Sequence, residues 1–326
     1  MPLHCDSCEW MDGCLDWEGP SGVCMQYGTL AVGCYQLNEE SKEREGFVFL
    51  YNFNNLKQFV LRQSLRIPGI FDMKWKDQYL GIASSTGSVD IYELQKDVTL
   101  KNITSFNQPD AQNCFTLSVS WNSNSEIAAS YSTGRVSVLS FNEGSNELCT
   151  VWENDHSHSL ESWIVSFLKS NPNIIISGAD DCSLKLWDIR TNNLKPIASN
   201  SKSYTMGVTT IDSRLKYGEN GFLVGSYDET VRYWDLRNMK DSIHTFNSGG
   251  GVWRIKGREE SGSVAIAAMS GNFQVLQLNE NKELERICSY SSVHSSLAYG
   301  IDWMPNTNTL ASGSFYDNKL SVWSFQ

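Results

Sequence analysis

The histidines of the chain are the first candidates for acid–base chemistry, because an imidazole exchanges protons near neutral pH. The chain has five of them. Two, His158 and His294, each stand 29 residues before a tryptophan, Trp187 and Trp323. A spacing that recurs along a chain indicates a repeated structural position. Each of these histidines is therefore either a general base or a member of a structural hydrogen-bond network.

The residues around His158 form a polar set. Ser177 and Asp181 lie between His158 and Trp187, and the aspartate stands six residues before the tryptophan. The same spacing joins two later pairs, Asp228 with Trp234 and Asp317 with Trp323. A histidine, a serine, an aspartate and a tryptophan in this order are typical of the hydrogen-bonded tetrad of WD repeats. The remaining histidines, His4, His156 and His244, are expected on the surface.

These segments belong to a repeat with seven copies. Each copy has a short apolar strand, a tight polar turn, and a third strand that alternates polar and apolar residues. The third strands are predicted to begin at residues 46, 87, 134, 182, 230, 272 and 318. A period of about 40–45 residues is typical of propeller blades. The sequence therefore predicts an all-β, seven-bladed WD-repeat β-propeller that occupies residues 1–326 as a single domain.

The last repeat ends directly after its third strand. An unpaired strand at a sheet edge exposes its backbone hydrogen-bonding groups. We therefore expect residues 2–9 to supply the fourth strand of the last blade and so to close the ring. The first strand of blade one is predicted at residues 15–17.

The residues at one end of the central channel are the candidates for binding, because a propeller is a scaffold whose function resides in its loops. Asp180 is expected there together with five aromatic residues: Trp163, Tyr227, Trp253, Tyr299 and Tyr316. Aromatic faces beside carboxylates attract a quaternary ammonium group. The alternative for Trp163 and Trp253 is packing between blades.

Charge and cysteine content limit the function classes. A net charge of −11 without a lysine and arginine cluster argues against nucleic-acid binding. No apolar stretch reaches the roughly 18 residues needed to cross a bilayer. No signal sequence precedes the nine cysteines, so reduced thiols in the cytosol are expected. Cys5, Cys8 and Cys14 lack a second pair at a suitable spacing, so no metal site is predicted.

Several longer sequence segments resemble those of a known family. Residues 250–255 read Gly-Gly-Val-Trp-Arg-Ile, residues 296–300 read Ser-Leu-Ala-Tyr-Gly, and Asp302 and Trp303 follow. Further phrases occur at 33–37, 70–75, 205–208, 225–229 and 314–317. From blade one to blade seven, the chain resembles the diphthine methyl ester hydrolases, also called diphthine methyltransferases. Tyr204 departs from the tetrad, which has histidine at its position, and the long insertions of some relatives in the last blade are absent.

The resemblance implies an ester hydrolase. Members of this family remove the methyl ester from methylated diphthine on a histidine of elongation factor 2, and the product is then amidated to diphthamide. The resemblance implies elongation factor 2 as the partner and a cytoplasmic location; we expect a monomer without a cofactor. The methylated intermediate carries a trimethylammonium group, which agrees with the aromatic and acidic channel end.

Ester hydrolysis needs an activated nucleophile and a stabilised oxyanion, and the sequence has neither a G-x-S-x-G elbow nor an H-E-x-x-H motif. A water molecule activated by His158 or His294 and oriented by Glu161 or Asp228 is the mechanistic hypothesis. Arg254, or the backbone N–H groups of residues 249–251, would stabilise the oxyanion. The competing hypothesis is a non-enzymatic WD-repeat adaptor that binds protein partners at the propeller face.

Overall fold

The computed structural model describes residues 4–10, 28–53, 59–108, 114–191, 194–213, 218–258, 261–305 and 307–325. In these ranges the chain forms 27 β-strands in seven sheets. Within each sheet, strands that are consecutive in the chain pair with one another, and short turns join most of these pairs. Within the same ranges, no helix has the length and hydropathy that a membrane span requires.

The seven sheets are the blades of the propeller. Blade one consists of β1 (His4–Trp10), β2 (Thr29–Leu37), β3 (Arg44–Phe53) and β4 (Phe59–Pro68). Blade two consists of β5 (Ile70–Lys76), β6 (Tyr79–Ser84), β7 (Ser88–Leu94) and β8 (Leu100–Asn107). Blade three consists of β9 (Thr116–Trp121), β10 (Glu126–Tyr131), β11 (Val136–Asn142) and β12 (Glu147–Asn154).

The later blades follow the same order. Blade four consists of β13 (Ile164–Leu168), β14 (Asn171–Gly178), β15 (Leu184–Asp188) and β16 (Ala198–Asn200). Blade five consists of β17 (Val208–Asp212), β18 (Gly221–Ser226), β19 (Thr230–Asp235) and β20 (His244–Asn247). Blade six consists of β21 (Arg254–Gly257), β22 (Ser263–Ala267), β23 (Phe273–Leu278) and β24 (Leu284–Tyr290). Blade seven consists of β25 (Ala298–Trp303), β26 (Thr309–Ser314) and β27 (Leu320–Ser324). Each third strand begins within two residues of its predicted position, and the seven-bladed fold is confirmed.

The first strand of each blade lines the central channel. In chain order these inner strands are β1, β5, β9, β13, β17, β21 and β25, and each contacts the inner strands of both neighbouring blades. The contact between β1 and β25 closes the ring. Because every inner strand is packed between two others, the residues where it begins are held close to the channel axis.

The N-terminal strand does not lie where it was predicted. β1 pairs with β2 in blade one, with Trp10 opposite Leu30, and blade seven has three strands among the described residues. The prediction that residues 2–9 complete the last blade is therefore wrong. An inner strand takes part in two blade interfaces, whereas an outer strand extends one sheet edge, so the inner position buries more surface. The inner strand predicted at residues 15–17 lies outside the described residues.

The hydrophobic core lies between neighbouring blades, and both faces of a middle strand contribute to it. In β18, Phe222 and Val224 pack against blade four, whereas Leu223 packs with residues of blade six. All three side chains have 0% exposure. Alternation along a strand sends successive side chains to opposite faces, and burial of each such side chain contributes about 1.5–3 kcal/mol. This explains why the second strands read as continuous apolar runs.

The predicted tetrad forms in blade four. The indole Nε1 of Trp187 donates to Ser177 Oγ at 2.9 Å, and this hydroxyl lies 2.7 Å from His158 Nε2. His158 Nδ1 lies 3.1 Å from the Asp181 carboxylate. The network satisfies buried polar groups, each of which would cost about 1–3 kcal/mol if left without a partner.

Blade five satisfies its tryptophan with different residues. Val224 stands ten residues before Trp234, where blade four has a serine, so this position offers no hydroxyl to the indole. Tyr204 has a longer side chain than histidine, and its hydroxyl accepts directly from Trp234 Nε1 at 2.8 Å. Arg232 stacks over the Tyr204 ring at 4.5 Å and donates to Asp228 at 2.9 Å. Tyrosine and valine therefore replace histidine and serine as a matched pair.

We expect Tyr204→His and Val224→Ser to have non-additive effects on stability. Tyr204→His removes the acceptor of the Trp234 indole, and Val224→Ser places a hydroxyl in an apolar contact. Together they rebuild the blade-four arrangement. The loss in the free energy of unfolding should therefore be about 1 kcal/mol smaller in the double variant than the sum of the losses in the two single variants. Urea unfolding of the four proteins measures this coupling, and additive losses would contradict the matched replacement.

Candidate functional site at the channel mouth

Aromatic side chains surround one end of the channel. Some stand at or just before the beginning of an inner strand: Phe71, Phe115, Trp163, Trp253 and Tyr299. Others stand near the end of a second strand or just after it: Tyr35, Tyr227, Phe315 and Tyr316. Propeller topology brings these two positions to the same end. We call this end the mouth and these nine residues the mouth aromatics.

Ring contacts join the mouth aromatics into an arc. The Trp253 ring centroid lies 4.9 Å from that of Tyr299, 5.8 Å from that of Trp163 and 5.9 Å from that of Tyr227. From Tyr299 the contacts continue at 4.6–5.8 Å through Phe315, Tyr35, Phe71 and Phe115. Such separations are typical of attractive aromatic pairs. The rings therefore hold one another in position.

The mouth aromatics differ in exposure. Trp253 is 6% exposed and mainly packs, whereas Tyr316 is 64% exposed and contacts the Phe315 ring at 4.8 Å. Three of the predicted rings are half-buried: Trp163, Tyr227 and Tyr299. The structure thus brings the five predicted aromatic residues to one surface, with Tyr316 exposed, three rings half-buried and Trp253 buried.

At the position before the inner strand of blade five, a carboxylate lies in place of the ring found in blades two, three, four, six and seven. Gly207 occupies the position before the inner strand there, and a β-carbon on Gly207 would come within 2.4 Å of Asp180 Oδ1. The Trp163 indole Nε1 donates to the same oxygen at 3.4 Å. Gly207 therefore makes room for an exposed carboxylate beside the arc.

Rings and one carboxylate in this arrangement suit a cation that has no N–H to donate. A quaternary ammonium group is attracted to the faces of tryptophan and tyrosine, with about 0.5–2 kcal/mol for each contact. The Asp180 carboxylate adds direct attraction between opposite charges. The mouth can therefore select such a cation without a hydrogen bond to it.

The glycine run at residues 249–251 has a steric role. Gly249 has a φ of +75°, and a β-carbon on Gly250 would lie 2.3 Å from the carbonyl oxygen of Ala268. The Gly249 N–H donates to Asn247 Oδ1 at 2.8 Å, so it is bound within the loop. The run lets this loop approach the second strand of blade six closely.

Arg254 lies inside the channel below the mouth and is 6% exposed. Its guanidinium donates to the carbonyl oxygens of Phe71 at 2.9 Å and Trp253 at 3.2 Å. Phe71 belongs to blade two and Arg254 to blade six, so the side chain spans the channel. Arg254 thereby holds the backbone of two mouth aromatics.

The structure encloses His158 completely. Its side chain has 0% exposure, and both ring nitrogens have partners in the blade-four tetrad. Burial lowers the pKa of His158, against the opposing effect of Asp181. A neutral imidazole with no access to the mouth fits the structural alternative for this residue.

His294 is more open. Its Nδ1 lies 2.5 Å from Ser314 Oγ and its Nε2 lies 2.9 Å from Ser312 Oγ, which also accepts from Trp323 Nε1 at 3.0 Å. The ring is half-buried, and it lines an open surface pocket that also contains Tyr316. Of the two candidate histidines, His294 is therefore the one beside the mouth.

The two candidate carboxylates have different surroundings. Glu161 is half-buried, and its carbonyl oxygen accepts from the Asp180 N–H at 2.9 Å, which places Glu161 beside the mouth. The Asp228 side chain is 5% exposed and pairs with Arg232 at 2.9 Å. Asp228 therefore belongs to the blade-five network rather than to the mouth.

Sequence reasoning did not identify four of the mouth aromatics: Tyr35, Phe71, Phe115 and Phe315. The signal for Phe71 and Phe115 is their position, because both stand where blade four has Trp163. Aligning the first strands blade by blade would have found them. Gly207 was also missed, and its signal is the absence of a ring at the same position.

The fold and the mouth define the protein as a WD-repeat β-propeller with an aromatic channel mouth. The family model "WD domain, G-beta repeat" matches residues 148–188 and 286–324. A chain in the crystal structure of the mitotic checkpoint complex has the same fold, with a TM-score of 0.72 over 91% of this chain and 86% of that chain. Its sequence is 15% identical.

Relatives in sequence identify the family more narrowly. A diphthine methyltransferase homolog of Dictyostelium discoideum is 35% identical over 78% of this chain and 76% of its own length. Diphthine methyltransferase of Schizosaccharomyces pombe is 30% identical over 94% of this chain and 95% of its own length. The human diphthine methyltransferase is 31% identical over 92% of this chain and 72% of its own length. The chain belongs to the diphthine methyltransferase family.

We expect Gly207→Ala to weaken the binding of choline, a simple quaternary ammonium, by about tenfold. The added β-carbon would displace the Asp180 carboxylate from the mouth. Gly144→Ala is the matched control, because a β-carbon there would meet only Asn142 Oδ1, at 3.4 Å. Isothermal titration calorimetry measures both affinities, and an unchanged affinity in Gly207→Ala would count against Asp180 as a cation-binding group.

Proposed function

We propose that this protein hydrolyses the methyl ester of methylated diphthine on the modified histidine of elongation factor 2, giving the carboxylate that is then amidated to diphthamide. The mouth carries this proposal, because Asp180 lies there beside an arc of aromatic rings. The relatives are named for diphthine. The methylated intermediate bears a trimethylammonium group, which is the kind of cation that such a surface attracts.

The trimethylammonium group binds between the Asp180 carboxylate and the half-buried rings. It has no N–H, so attraction to ring faces and to a carboxylate takes the place of hydrogen bonds. Trp163 holds Asp180 through the contact of its Nε1. Because the rings pack against one another before substrate arrives, little conformational entropy is lost on binding.

A protein substrate needs a wider contact surface than one modified side chain. Exposed apolar residues lie in the loops that lead to the inner strands at the mouth: Leu160 at 49%, Met206 at 53% and Val293 at 44% exposure. Clusters of exposed apolar side chains are typical of interaction surfaces. Elongation factor 2 docks on these loops in the cytosol, and the protein acts as a monomer.

The reaction adds water across the ester. The water oxygen attacks the carbonyl carbon, the bond from that carbon to the methoxy oxygen breaks, and methanol leaves with one water proton. The acid product gives its remaining proton to the solvent. His294 is the base that takes the water proton and passes it to the methoxy oxygen, because its ring lines the open pocket beside Tyr316. To do so it exchanges one serine contact for the attacking water; Glu161 is not among the residues that line this pocket.

A non-enzymatic adaptor is the alternative. Both ring nitrogens of His158 and of His294 contact side chains of the fold. Histidines held in this way can be purely structural. The exposed apolar loops around the mouth suit the binding of a protein partner with or without chemistry. An adaptor would use the same mouth and leave the ester intact.

The purified protein should remove one methylene unit of mass from elongation factor 2 that carries the methylated intermediate, and should release methanol. In water enriched in oxygen-18, the product carboxylate should gain one heavy oxygen, because the bond to the methoxy oxygen breaks on the carbonyl side. Intact and peptide mass spectrometry measure both changes. Methyl transfer to the substrate would contradict hydrolysis. Normal diphthamide in cells that lack the protein would favour the adaptor.

His294→Asn should lower kcat by about 100-fold or more, as expected for the loss of a general base. His158→Asn is the matched control, because it disturbs the corresponding network in blade four without access to the mouth. The folded molecules of His158→Asn should retain most of the kcat of the unchanged protein. Circular dichroism and thermal unfolding establish the folded fraction of each variant. Equal losses per folded molecule would assign both histidines a structural role.

A further inference from the structure

The far end of the channel contains a cavity of about 490 Å³. It is lined by the ends of the inner strands of blades two to six and by the turns that follow them. Trp75, Trp121 and Lys169 stand there at the ends of β5, β9 and β13, whereas the mouth aromatics stand where inner strands begin. Arg254 lies between the two ends, so the cavity is separate from the mouth.

The cavity wall is cationic although the protein is acidic. Two carboxylates, Asp72 and Asp212, line it together with four basic side chains: Lys74, Lys169, Arg254 and Lys256. The whole chain has a formal net charge of −11. A third carboxylate, Asp302, pairs with Lys256, so the basic side chains exceed the carboxylates by one. An excess of positive charge in a concave space raises the local concentration of anions.

Two of these basic side chains are buried. The Lys256 side chain is 5% exposed and lies 3.5 Å from Asp302, and the Arg254 side chain is 8% exposed and lies 3.8 Å from Asp72. Removing such charges from water has a free-energy cost for each ion. The cost falls when further negative charge comes close, so the wall favours an anionic occupant.

The two carboxylates that line the cavity already accept hydrogen bonds from groups of the cavity wall. Asp72 accepts from Ser118 Oγ at 3.0 Å, from the Val119 N–H at 3.2 Å and from Lys74 Nζ at 2.6 Å. Burial raises the pKa of Asp72, but Lys74 and Arg254 outweigh burial, so the pKa is lowered and the group stays ionised. Asp212 similarly accepts from the Gly257 N–H at 3.0 Å.

We propose that this cavity binds a phosphate group, either as inorganic phosphate or in a small monoester. Lysine ammonium and arginine guanidinium groups are the usual protein partners of phosphate, and their charged hydrogen bonds are stronger than neutral ones. This proposal does not rest on the ester hydrolysis proposed above, and either can fail without the other.

Calorimetric titration of the whole protein with inorganic phosphate, and separately with glycerol 3-phosphate, at constant ionic strength tests the site. We expect saturable binding of one ion per chain. Lys169→Met should weaken it about tenfold, because one charged contact is lost. Lys101→Met on the outer strand β8 is the control, and should leave the affinity unchanged.

Lys256→Met is a second variant, and it should weaken binding at least as much as Lys169→Met if it folds. Tighter binding of glycerol 3-phosphate assigns the site to a monoester, and tighter binding of phosphate assigns it to the free ion. Absence of saturable binding to both, or equal weakening in Lys101→Met and Lys169→Met, would overturn the proposal.

Discussion

The closed ring of inner strands is the constraint on which the candidate site depends. Each inner strand packs between two others, and β1 completes the ring by contacting β5 and β25. Closure holds the beginnings of these strands around one axis. Rings from blades four, six and seven therefore touch although they are far apart in the chain: Trp163, Trp253 and Tyr299. The aromatic surface is a consequence of closing the propeller, because no single blade contains enough of it.

Buried polar networks then place the charged groups of the mouth. Asp181 is held by His158 and Ser183. Burial raises the pKa of Asp181, but these hydrogen bonds outweigh burial and lower it. The next residue back in the chain, Asp180, presents its carboxylate beside Trp163. This network has a structural role in blade four, and His158 itself does not reach the mouth. Arg254 has a comparable role for the backbone of Phe71 and Trp253.

Much of this structure could be predicted from the sequence. The repeat gave seven blades because a strand, a turn and a strand of fixed length recur, and Trp163, Trp253 and Tyr299 were found because they open first strands. The place of β1 could not be predicted from pattern alone, since an inner and an outer strand of a propeller can have similar composition. The rings of Phe71 and Phe115 were missed because phenylalanine at a strand start is common in cores. Which rings face a ligand depends on packing between blades, and a linear pattern does not contain that information.

The central claim is that the mouth binds a quaternary ammonium group against Asp180 and the half-buried rings. A crystal structure of the protein with a peptide that carries methylated diphthine tests it most directly. We predict density for the trimethylammonium group within about 6 Å of the Trp163, Tyr227 or Tyr299 ring centroids, with the Asp180 carboxylate beside it. Density for that group in the cationic cavity at the far end of the channel, or on the outer edge of a blade, would contradict the account.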